Sequence, residues 1–406
     1  MRVVMRIGEF SKKNNISIET VRHYIDLELI IPYKKGGQYD FDENSQKSLN
    51  KVLELKSYGF TLNEIKSILI YESLGKFTLE DSNLLKDVFK LKEKEISRRI
   101  QELLSMEEKL KYKIKEITTK EEKSAINIGI DINSLKYLSC IYCGGDLYLE
   151  EGNIKNNKIV DGRLRCKCKR EYNIESGILI VENNKVNNDN SNENIMEDYL
   201  RETDINHISS LKKGLDWGYS NLEKIDLDNK VLLEIGSGLG FALRNIYNIL
   251  DNSIYIAIDN DINKHIYLKS LLENSNLNNN VMLICTDFKK IPIKEEVIDI
   301  FLDCSGSSNY WFEKNDFSIR DILKYLNKDA YLLLSYIIFK KISLNNFIKI
   351  ENRKNFNIKY VKEDIKKNKF NTIDELSTEC LNKPSLYEDY FKEGEEVYIY
   401  MYFGKR

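Results

Sequence analysis

The feature that most constrains this 406-residue chain is a long segment without helix breakers. Residues 81–123 contain neither glycine nor proline, and acidic and basic side chains alternate densely through them. An apolar residue recurs at every seventh position of this segment, at Phe89, Ile96, Leu103, Leu110 and Ile117. This spacing predicts one helix of roughly 60 Å with a heptad seam along one side.

A helix of this length cannot bury its apolar seam alone, so the seam predicts a partner. We assign residues 79–125 to a coiled coil that joins two copies of the chain into a homodimer. The alternative is a long helix that packs along its own chain. In either case the segment separates a first domain, residues 1–78, from everything that follows it.

Composition sets the class and the expected compartment. Hydrophobic residues make up 42% of the chain and charged residues 31%, which is typical of a soluble globular protein. No run of about 18 apolar residues occurs, and the first residues lack the apolar core of a signal peptide. We therefore expect no membrane partner and a cytoplasmic location. The bias toward Lys, Asn, Ile and Tyr indicates an AT-rich, bacterial genome.

The net charge argues against DNA binding through bulk charge. The whole chain carries a formal charge of −2, and residues 1–60 hold ten Lys or Arg against eight Asp or Glu. Any binding of DNA must therefore depend on the geometry of a motif.

The first domain contains such a motif. Ile7–Asn14 predicts a short helix, and Ser17 is placed to cap a second helix that ends near Leu27. In a helix-turn-helix the second helix lays its N-terminal half in the major groove of DNA. The side chains that we expect nearest the bases are Ser17, Ile18, Thr20, Arg22 and His23.

A hairpin and two further helices follow. The stretch KKGGQYDF predicts a Gly-Gly hairpin, or wing, and helices are predicted over Glu43–Gly59 and Leu62–Tyr71. The order of these elements, with RIGEFSKKNNISIETVRHYIDLELI and LKSYGFTLNEIKSIL, resembles the MerR family of transcription regulators. That resemblance implies a winged helix-turn-helix that binds promoter DNA at an inverted repeat, since a two-fold dimer matches a two-fold operator. The alternative is a helical domain that does not bind DNA.

The wing departs from the family pattern. The resemblance implies a Tyr-Arg pair after the glycine, but Gly37 is followed by Gln38 and Tyr39. We expect Lys34 and Lys35, which precede the turn, to neutralise DNA phosphates in place of the missing arginine. Tyr39 completes the predicted DNA-binding set.

Four cysteines lie at the spacing of metal ligands. They form two close pairs, Cys140 with Cys143 and Cys166 with Cys168. Gly144-Gly145 follows the first pair, as expected where a backbone turns tightly around a metal. Four thiolates suit tetrahedral Zn²⁺ with no open position, which predicts a structural zinc site. The alternative is a set of four buried reduced cysteines.

These cysteines lie within residues 134–183, which we assign to a zinc ribbon. The segment resembles the small ribbons attached to some RNA and small-molecule methyltransferases. Residues 186–194, VNNDNSNEN, are expected to form a polar linker to the last domain.

The last domain, residues 197–406, begins with a strand that leads into a glycine-rich loop, VLLEIGSGLG at 231–240. Glycines let a backbone approach a ligand closely, and the helix that follows offers its N-terminus. Further strands are predicted at 255–258, 282–285, 298–302, 330–338 and 396–403. Strands that alternate with helices predict a doubly wound, Rossmann-like parallel sheet.

The spacing Glu-x-Gly-x-Gly-x-Gly resembles that of class I S-adenosylmethionine methyltransferases. The resemblance implies that Asp259 holds the ribose of S-adenosylmethionine, and that Asp287 and Phe288 hold its adenine. The residues that it implies around the methionine part are Glu234, Gly236, Gly238 and Gly240. The alternative is a nucleotide-type fold that has lost its cofactor.

The methyl acceptor is not indicated by any signature. The segment DCSGSSNYWF at 303–312 lacks the Asn-Pro-Pro-Tyr type of motif that marks methylation of amino nitrogens. The candidates for lining an acceptor pocket are Cys304, Ser305, Tyr310 and Trp311, with His207, Trp217 and Tyr219 from a lid at 196–222.

Three functions follow from these predictions. The first is a dimeric regulator whose last domain methylates a small molecule. The second is a regulator whose last domain has no activity and senses its cofactor or another small ligand. The third is a nucleic-acid methyltransferase that the first domain directs to its substrate.

Overall fold

The computed structural model describes residues 4–74, 79–121, 128–181, 195–250, 252–275, 279–314 and 317–406. The chain divides into two compact units, Met1–Lys120 and Glu121–Arg406. The predicted linker at 186–194 lies outside the described residues. Among the described residues, no helix is both long and apolar enough to cross a membrane.

The first unit follows the predicted order of helices and wing. Its elements are β1 (Met5–Arg6), α1 (Ile7–Asn14), α2 (Ile18–Asp26), β2 (Tyr33–Lys35), β3 (Gln38–Phe41), α3 (Glu43–Ser57), α4 (Leu62–Leu74) and α5 (Leu79–Glu121). The three strands pair antiparallel in the order β1-β3-β2. These bounds confirm the predicted helices and hairpin to within three residues at each end. Strand β1 was not predicted.

The core of the first unit fixes the position of α2. Val21 and Tyr24 on the inner side of α2 are buried, and Phe10 of α1 stacks on Phe41 of β3 with ring centroids 4.3 Å apart. The first turns of α5 pack on the same core through partly buried apolar side chains, including Phe89. Because the core holds one face of α2, the opposite face is left toward solvent.

The second unit is built on one large sheet. Its strands are β4 (Ile130–Asp131), β5 (Leu147–Lys155), β6 (Lys158–Cys166), β7 (Glu171–Glu175), β8 (Ile178–Ile180), β9 (Val231–Ile235), β10 (Ile254–Asp259), β11 (Asn280–Cys285), β12 (Ile298–Cys304), β13 (Leu326–Lys341), β14 (Asn371–Ser377) and β15 (Glu396–Lys405). The helices are α6 (Ile195–Glu202), α7 (Ile205–Leu222), α8 (Phe241–Ile246), α9 (Ile262–Glu273), α10 (Gly306–Glu313), α11 (Ile319–Ile322) and α12 (Ile358–Lys367).

The strand order is that of a doubly wound fold. The described strands run β14-β15-β13-β12-β9-β10-β11-β8-β7-β6-β4, with β5 paired to β6. All neighbouring strands from β13 through β12, β9, β10 and β11 to β8 pair in parallel. Strand β15 is antiparallel to both of its neighbours. The order reverses between β9 and β12. Ligands of open α/β sheets bind at this switch point, beside the carboxyl ends of the strands.

The cysteine-bearing strands are continuous with this sheet. Strand β8 pairs in parallel with β11, so that β7, β6 and β4 extend the same hydrogen-bonded surface. Buried residues of these strands belong to the same apolar cluster as β9, β10 and β13. The sequence predicted a small ribbon but did not indicate that its strands continue the large sheet. The residues of a strand do not by themselves determine which other strand it pairs with.

Candidate functional sites

The predicted DNA-binding residues lie on the free face of α2. Ser17 caps the helix, accepting the backbone N–H of Thr20 at 3.0 Å, and the two hydroxyls are 2.9 Å apart. Arg22 and His23 are exposed, while Thr20 is half-buried. The structure therefore brings this part of the predicted set together on one accessible surface, as a major-groove reader requires.

The wing places further predicted residues on its two strands. Gly36 and Gly37 both have left-handed backbones (φ 58° and 82°), which a tight two-residue hairpin needs. Lys34 lies opposite Tyr39 across the hairpin, with its Nζ 5.6 Å from the centre of the Tyr39 ring. Lys35 is the last residue of β2. Lys34 is exposed and thus accessible to a phosphate.

Helix α5 presents its predicted seam to solvent. Leu103 is 58% exposed, Leu110 64% and Ile117 51%. By contrast, Lys92 near the start of α5 is buried, with its ammonium 2.9 Å from Glu64 and 2.7 Å from Glu95. Only the first turns of α5 are thus packed on the unit's own core. The rest of the described helix carries an exposed apolar stripe, and contiguous exposed apolar surface marks sites of protein–protein interaction.

The four predicted metal ligands converge. The Sγ atoms of Cys140, Cys143, Cys166 and Cys168 all lie within 4.8 Å of one another. Cys140 and Cys168 are 3.6 Å apart and Cys143 and Cys166 are 3.4 Å apart. Ligands held about 2.3 Å from a tetrahedral zinc ion are separated by roughly 3.8 Å, so the arrangement fits Zn²⁺.

Neighbouring groups favour ionised sulfur at one member of this cluster, Cys140. A backbone N–H lowers the pKa of Cys166, but burial and the other cysteines raise it by more. Burial opposes ionisation of Cys140, but the Tyr172 hydroxyl, which donates to its Sγ at 3.1 Å, and the backbone N–H groups of Tyr142 and Cys143 lower its pKa to about 6. A side chain at Gly145 would have its Cβ 3.4 Å from two of the sulfurs. The backbone of the turn thus packs directly against the sulfur atoms of Cys143 and Cys166.

The glycine-rich loop lies at the switch point of the sheet. Gly236, Gly238 and Gly240 all have left-handed backbones, with φ of 65°, 51° and 72°. A Cβ on Gly236 would lie 2.4 Å from the Cα of Gly306, and one on Gly240 would lie 2.3 Å from Leu268. A Cβ on Gly238 would meet nothing closer than 3.8 Å. Two glycines are therefore required by packing, whereas the middle one leaves open space beside the loop.

Asp259 ends β10 next to this loop. Its Oδ2 accepts the backbone N–H of Gly238 at 2.8 Å, and its Oδ1 accepts that of Asp261 at 3.0 Å. The side chain is 4% exposed. The structure thus joins the glycine loop to the carboxylate predicted for a ribose, although 21 residues separate them in sequence.

Two more buried acids lie beneath the loop. Glu234 is 1% exposed and accepts the Tyr255 hydroxyl at 2.7 Å. Burial, with smaller contributions from the carboxylates of Asp259 and Asp303, raises the pKa of Glu234 to about 8. Burial likewise raises the pKa of Asp303 to about 6, and its Oδ2 accepts no hydrogen bond from the described residues.

The predicted acceptor residues at the end of β12 and directly after it lie in different surroundings. The pKa of the Cys304 thiol is raised above its usual value. The largest cause is burial, followed by the charges of Glu234 and Asp303. Ser305 adopts a left-handed backbone (φ 67°) at the start of α10. Trp311 is 7% exposed, and its indole N–H donates to the Phe317 carbonyl at 2.9 Å. Trp311 therefore packs in the core.

An aromatic cluster follows β11. Phe288 stacks on Tyr310 with ring centroids 5.5 Å apart, and both lie 5.8 Å from Phe317. Asp287 beside them accepts the Lys289 backbone N–H at 2.9 Å and the Lys314 ammonium at 3.0 Å. Although burial opposes it, these contacts lower the pKa of Asp287. The carboxylate predicted for adenine is thus ionised next to flat apolar rings.

A half-buried histidine of the predicted lid lies beside a buried acid from outside the lid. His207 of α7 lies 3.5 Å from the carboxylate of Glu388. Burial lowers the pKa of His207 to about 4 and raises that of Glu388 to about 7. Tyr199 of α6 bridges toward the glycine loop, with its ring 5.7 Å from that of Phe241. The sequence gave no signal for Tyr199 or Glu388, because both lie in segments without a recognisable motif.

A cavity of about 70 Å³ lies between α7, α8 and the sheet. It is lined by Cys304 and Ser305, which were predicted for an acceptor pocket, and by Trp217 and Tyr219 of the predicted lid. Tyr310, Trp311 and His207 do not line it. The predicted acceptor set is therefore divided between this cavity, the aromatic cluster and the core.

Comparison with known proteins defines the class of the first unit. Residues 5–72 match the protein family described as "MerR HTH family regulatory protein". This part of the chain is therefore a MerR-type helix-turn-helix domain. An HTH-type transcriptional regulator, the ZntR homolog of Haemophilus influenzae, is 27% identical over 136 residues, 33% of this chain and 98% of that protein. The HTH-type transcriptional regulator HmrR of Rhizobium leguminosarum is 28% identical over 110 residues, 27% of this chain and 82% of its own.

Solved structures match the chain at lower identity. One is a SAM dependent methyltransferase from Aquifex aeolicus, which is 15% identical with a TM-score of 0.34 and covers 48% of this chain and 97% of its own.

Proposed function

We propose that the chain is a dimeric transcription regulator whose second unit binds S-adenosylmethionine and methylates a small molecule. The observation that carries the cofactor proposal is the contact between the Gly238 N–H and the Asp259 carboxylate at 2.8 Å. This contact supports the proposal because a loop that lets a ligand approach closely lies beside a carboxylate able to accept hydrogen bonds from sugar hydroxyls. Both lie at the switch point, where this fold class binds nucleotides.

The charges at the loop favour S-adenosylmethionine over a dinucleotide. The charged groups that raise the pKa of Glu234 are the carboxylates of Asp259 and Asp303. A pyrophosphate held above the buried carboxylates of Asp259 and Asp303 would be repelled, because these charges are screened less well than those of a surface pair. The sulfonium and ammonium groups of S-adenosylmethionine are cationic, so the same acids attract them.

The aromatic cluster supports the adenine end of the proposal. Phe288 and Tyr310 offer stacked apolar faces. Asp287, held ionised by Lys314, is a hydrogen-bond acceptor for an exocyclic amine. An adenine base needs both a flat apolar contact and an acceptor of this kind.

S-adenosylmethionine supplies an electrophilic methyl group. The chain's contribution is to position an acceptor next to the cofactor and to exclude water. Cys304 is not the acceptor in this proposal, because its raised pKa keeps the thiol protonated at neutral pH. A transfer that depends on alignment of donor and nucleophile needs no strong base beside the methyl group.

The first unit supplies the DNA-binding function in this proposal. The exposed set on α2 reads the major groove, and Lys34 on the wing contacts a phosphate. The apolar stripe on α5 pairs with that of a second copy, so that two heads meet an inverted repeat. The cysteine cluster holds structural Zn²⁺ within the second unit.

A second candidate function is cofactor sensing without turnover. The observation that favours it is the state of the last two residues of β12. Asp303 is fully buried and accepts the Ser307 backbone N–H at 3.0 Å, and burial raises the pKa of the Cys304 thiol above its usual value, so that the thiol is neutral. A domain can therefore bind its cofactor while lacking a group that activates an acceptor, and its occupancy would then bias DNA binding.

Two measurements on the full-length protein separate these functions. Release of S-adenosylhomocysteine is followed while S-adenosylmethionine is incubated with a panel of small alcohols, phenols and thiols. In parallel, affinity for the gene's own upstream DNA is measured with each form of the cofactor. Product release with some acceptor supports the enzyme. A DNA affinity that differs between the two forms, without product release, supports the sensor. A protein that shows neither contradicts both.

A further inference from the structure

The cavity beside Cys304 has a lining that specifies what it can hold. It is bounded by α7 and α8 on one side and by β12, β13 and β15 on the other. Among the described residues that line it, none is Asp, Glu, Lys, Arg or His. An ion placed there would lose its hydration without gaining a counter-charge, which costs several kcal/mol or more. The occupant must therefore be neutral.

Two glycines of α7 lie on the face toward the sheet and line the cavity. A Cβ on Gly214 would lie 1.8 Å from the Cε of Met401, and one on Gly218 would lie 3.3 Å from Leu333. Both glycines thus let α7 pack closely against β15 and β13 at the wall of the cavity. Both glycines lie four residues apart and so share one helix face.

The polar groups of the lining are few. Asn245 of α8 lines the cavity, and its Oδ1 is buried with no hydrogen-bond partner among the described residues. A buried amide oxygen without a partner costs about 1–3 kcal/mol, so a ligand that donates a hydrogen bond to it recovers that cost. Ser305 and Ser335 add hydroxyls at the end next to the loop after β12.

The volume limits the size of what enters. At about 70 Å³ the cavity is roughly half the size of an engineered apolar cavity of about 150 Å³ that holds benzene. It therefore accepts a group of about four non-hydrogen atoms. A larger acceptor would insert only one end of that size into the cavity.

We infer that this cavity binds a small neutral molecule, or the end of one, with an apolar body and a single hydrogen-bond donor. The inference rests on the proposed function in one respect: the bound molecule is the methyl acceptor, because Cys304 and Ser305 line the cavity next to the proposed cofactor site. Alcohols, phenols and thiols have this chemistry. Phosphorylated, anionic and polyamine acceptors do not.

The test uses 1-propanol as the probe and the Met401 methyl group as the reporter. Met401 lines the cavity, so methionine labelled with ¹³C at its methyl carbon reports occupancy of the cavity by NMR. Met401→Leu identifies the signal among the six methionines. The n-propylammonium ion serves as a probe of matched size that carries a charge.

A filled cavity provides the matched variant. Ser335→Ile adds apolar volume inside the cavity at a strand position that favours a β-branched residue. The control is Ser377→Ile, the same change at an exposed position on the edge strand β14. Binding of S-adenosylmethionine is measured on every sample by calorimetry, so that the cofactor proposal is read separately.

The inference predicts a saturable shift of the Met401 signal with 1-propanol in wild type and in Ser377→Ile. In Ser335→Ile the dissociation constant rises at least about tenfold. The propylammonium ion gives no saturable shift. Absence of a saturable shift with 1-propanol, equal binding by Ser335→Ile, or equal binding of the charged probe each overturns the inference. Loss of cofactor binding in wild type overturns the proposed function instead, whatever the probe does.

Discussion

The two units solve the problem of building a site in different ways. In the first unit, the residues proposed to face DNA lie within Ser17–Tyr39, on one helix and one hairpin. They are mostly exposed and have few partners other than local ones. In the second unit, the candidate site draws on loops after β9, β10, β11 and β12, between Gly236 and Ser305. Its acids are buried and act on one another.

The difference teaches which kind of site tolerates change. When one residue of a surface site on a short contiguous segment is replaced, the site loses about the binding free energy of that residue's own contact. A site at the meeting point of four strands also carries the packing of the sheet, so one replacement alters several loops. We therefore expect graded effects in the first unit and steep effects in the second.

The largest effect is expected at the cysteine cluster. Cys140→Ser removes a ligand that lies within 4.8 Å of the other three sulfurs, and structural zinc contributes on the order of 10 kcal/mol to folding. Because β8 is hydrogen-bonded to β11, loss of the metal should destabilise the large sheet as well as the ribbon strands. Elemental analysis and thermal unfolding should show loss of about one zinc per chain and of the second unit's transition.

Cys380→Ser is the matched control, because Cys380 is exposed and lies outside the cluster. It should retain zinc and wild-type unfolding. If Cys140→Ser kept its zinc, or if wild type carried none when purified, the structural zinc proposal would be wrong. If only the ribbon melted, the large sheet would be independent of it.

The sequence revealed the first unit almost completely, and the second only in part. Helix caps such as Ser17 and the Gly36-Gly37 turn are local signals, so the helices and wing of the first unit were found near their true ends. In the second unit the strands β9 to β13 and β15 were found from apolar runs, whereas β4 to β8 and β14 were not predicted. Their order, the continuity of β8 with β11 and the antiparallel β15 depend on pairing partners far along the chain.

The same reason explains which site residues were found. Asp259 was predicted because it ends a strand at a recognisable distance from the glycines, and it does lie beside Gly238. Glu388 and Asn245 follow no pattern in their own segments, so only the folded chain shows that they are buried near the site. Trp311 resembled a pocket residue in sequence because aromatic residues serve both pockets and cores.

A second large effect is expected at Gly236, and a smaller one at Gly238 of the same loop. Gly236→Ala places a Cβ 2.4 Å from the Cα of Gly306 at a left-handed backbone, so the loop must shift. We expect affinity for S-adenosylmethionine to fall at least about a hundredfold, about 2.7 kcal/mol. Gly238→Ala has the same left-handed strain (φ 51°), but its Cβ meets nothing closer than 3.8 Å, so affinity should fall about tenfold or less. Calorimetry on both variants tests this ranking, and equal losses would contradict it.

An intermediate effect concerns the pH dependence of stability. The pKa of Glu234 rises from 4.5 to about 8 in the folded protein, so the folded state binds the proton more tightly. Its contribution to stability is fully present below pH 4.5 and is lost as the pH rises toward 8. Glu234→Gln should therefore stabilise the second unit above about pH 8, by a few kcal/mol at most, and leave stability near about pH 4.5 unchanged.

Denaturant unfolding at about pH 5 and about pH 9 measures this difference. Glu223→Gln, at an exposed position of the same unit, is the control and should follow wild type at both values. A Glu234→Gln variant that lost stability equally at both values would show that Glu234 is ionised and required in the folded state.

The smallest effect is expected in the first unit. Arg22→Ala removes one exposed contact from the free face of α2 and should weaken binding to the upstream DNA about tenfold, about 1.4 kcal/mol. Arg98→Ala, at an exposed ion pair with Glu102 on α5, is the matched control. Mobility shift measures both. Equal affinities for Arg22→Ala, Arg98→Ala and wild type would remove Arg22 from the interface.

The most direct test of the account is calorimetric titration of the full-length protein with S-adenosylmethionine. We expect wild type to bind it at one site per chain. Asp259→Ala should bind at least about tenfold more weakly, because it lacks the carboxylate that adjoins Gly238. Asp329→Ala, at an exposed position, should bind as wild type does. No binding by wild type, or equal binding by wild type and Asp259→Ala, would contradict the assignment of the switch point as the cofactor site.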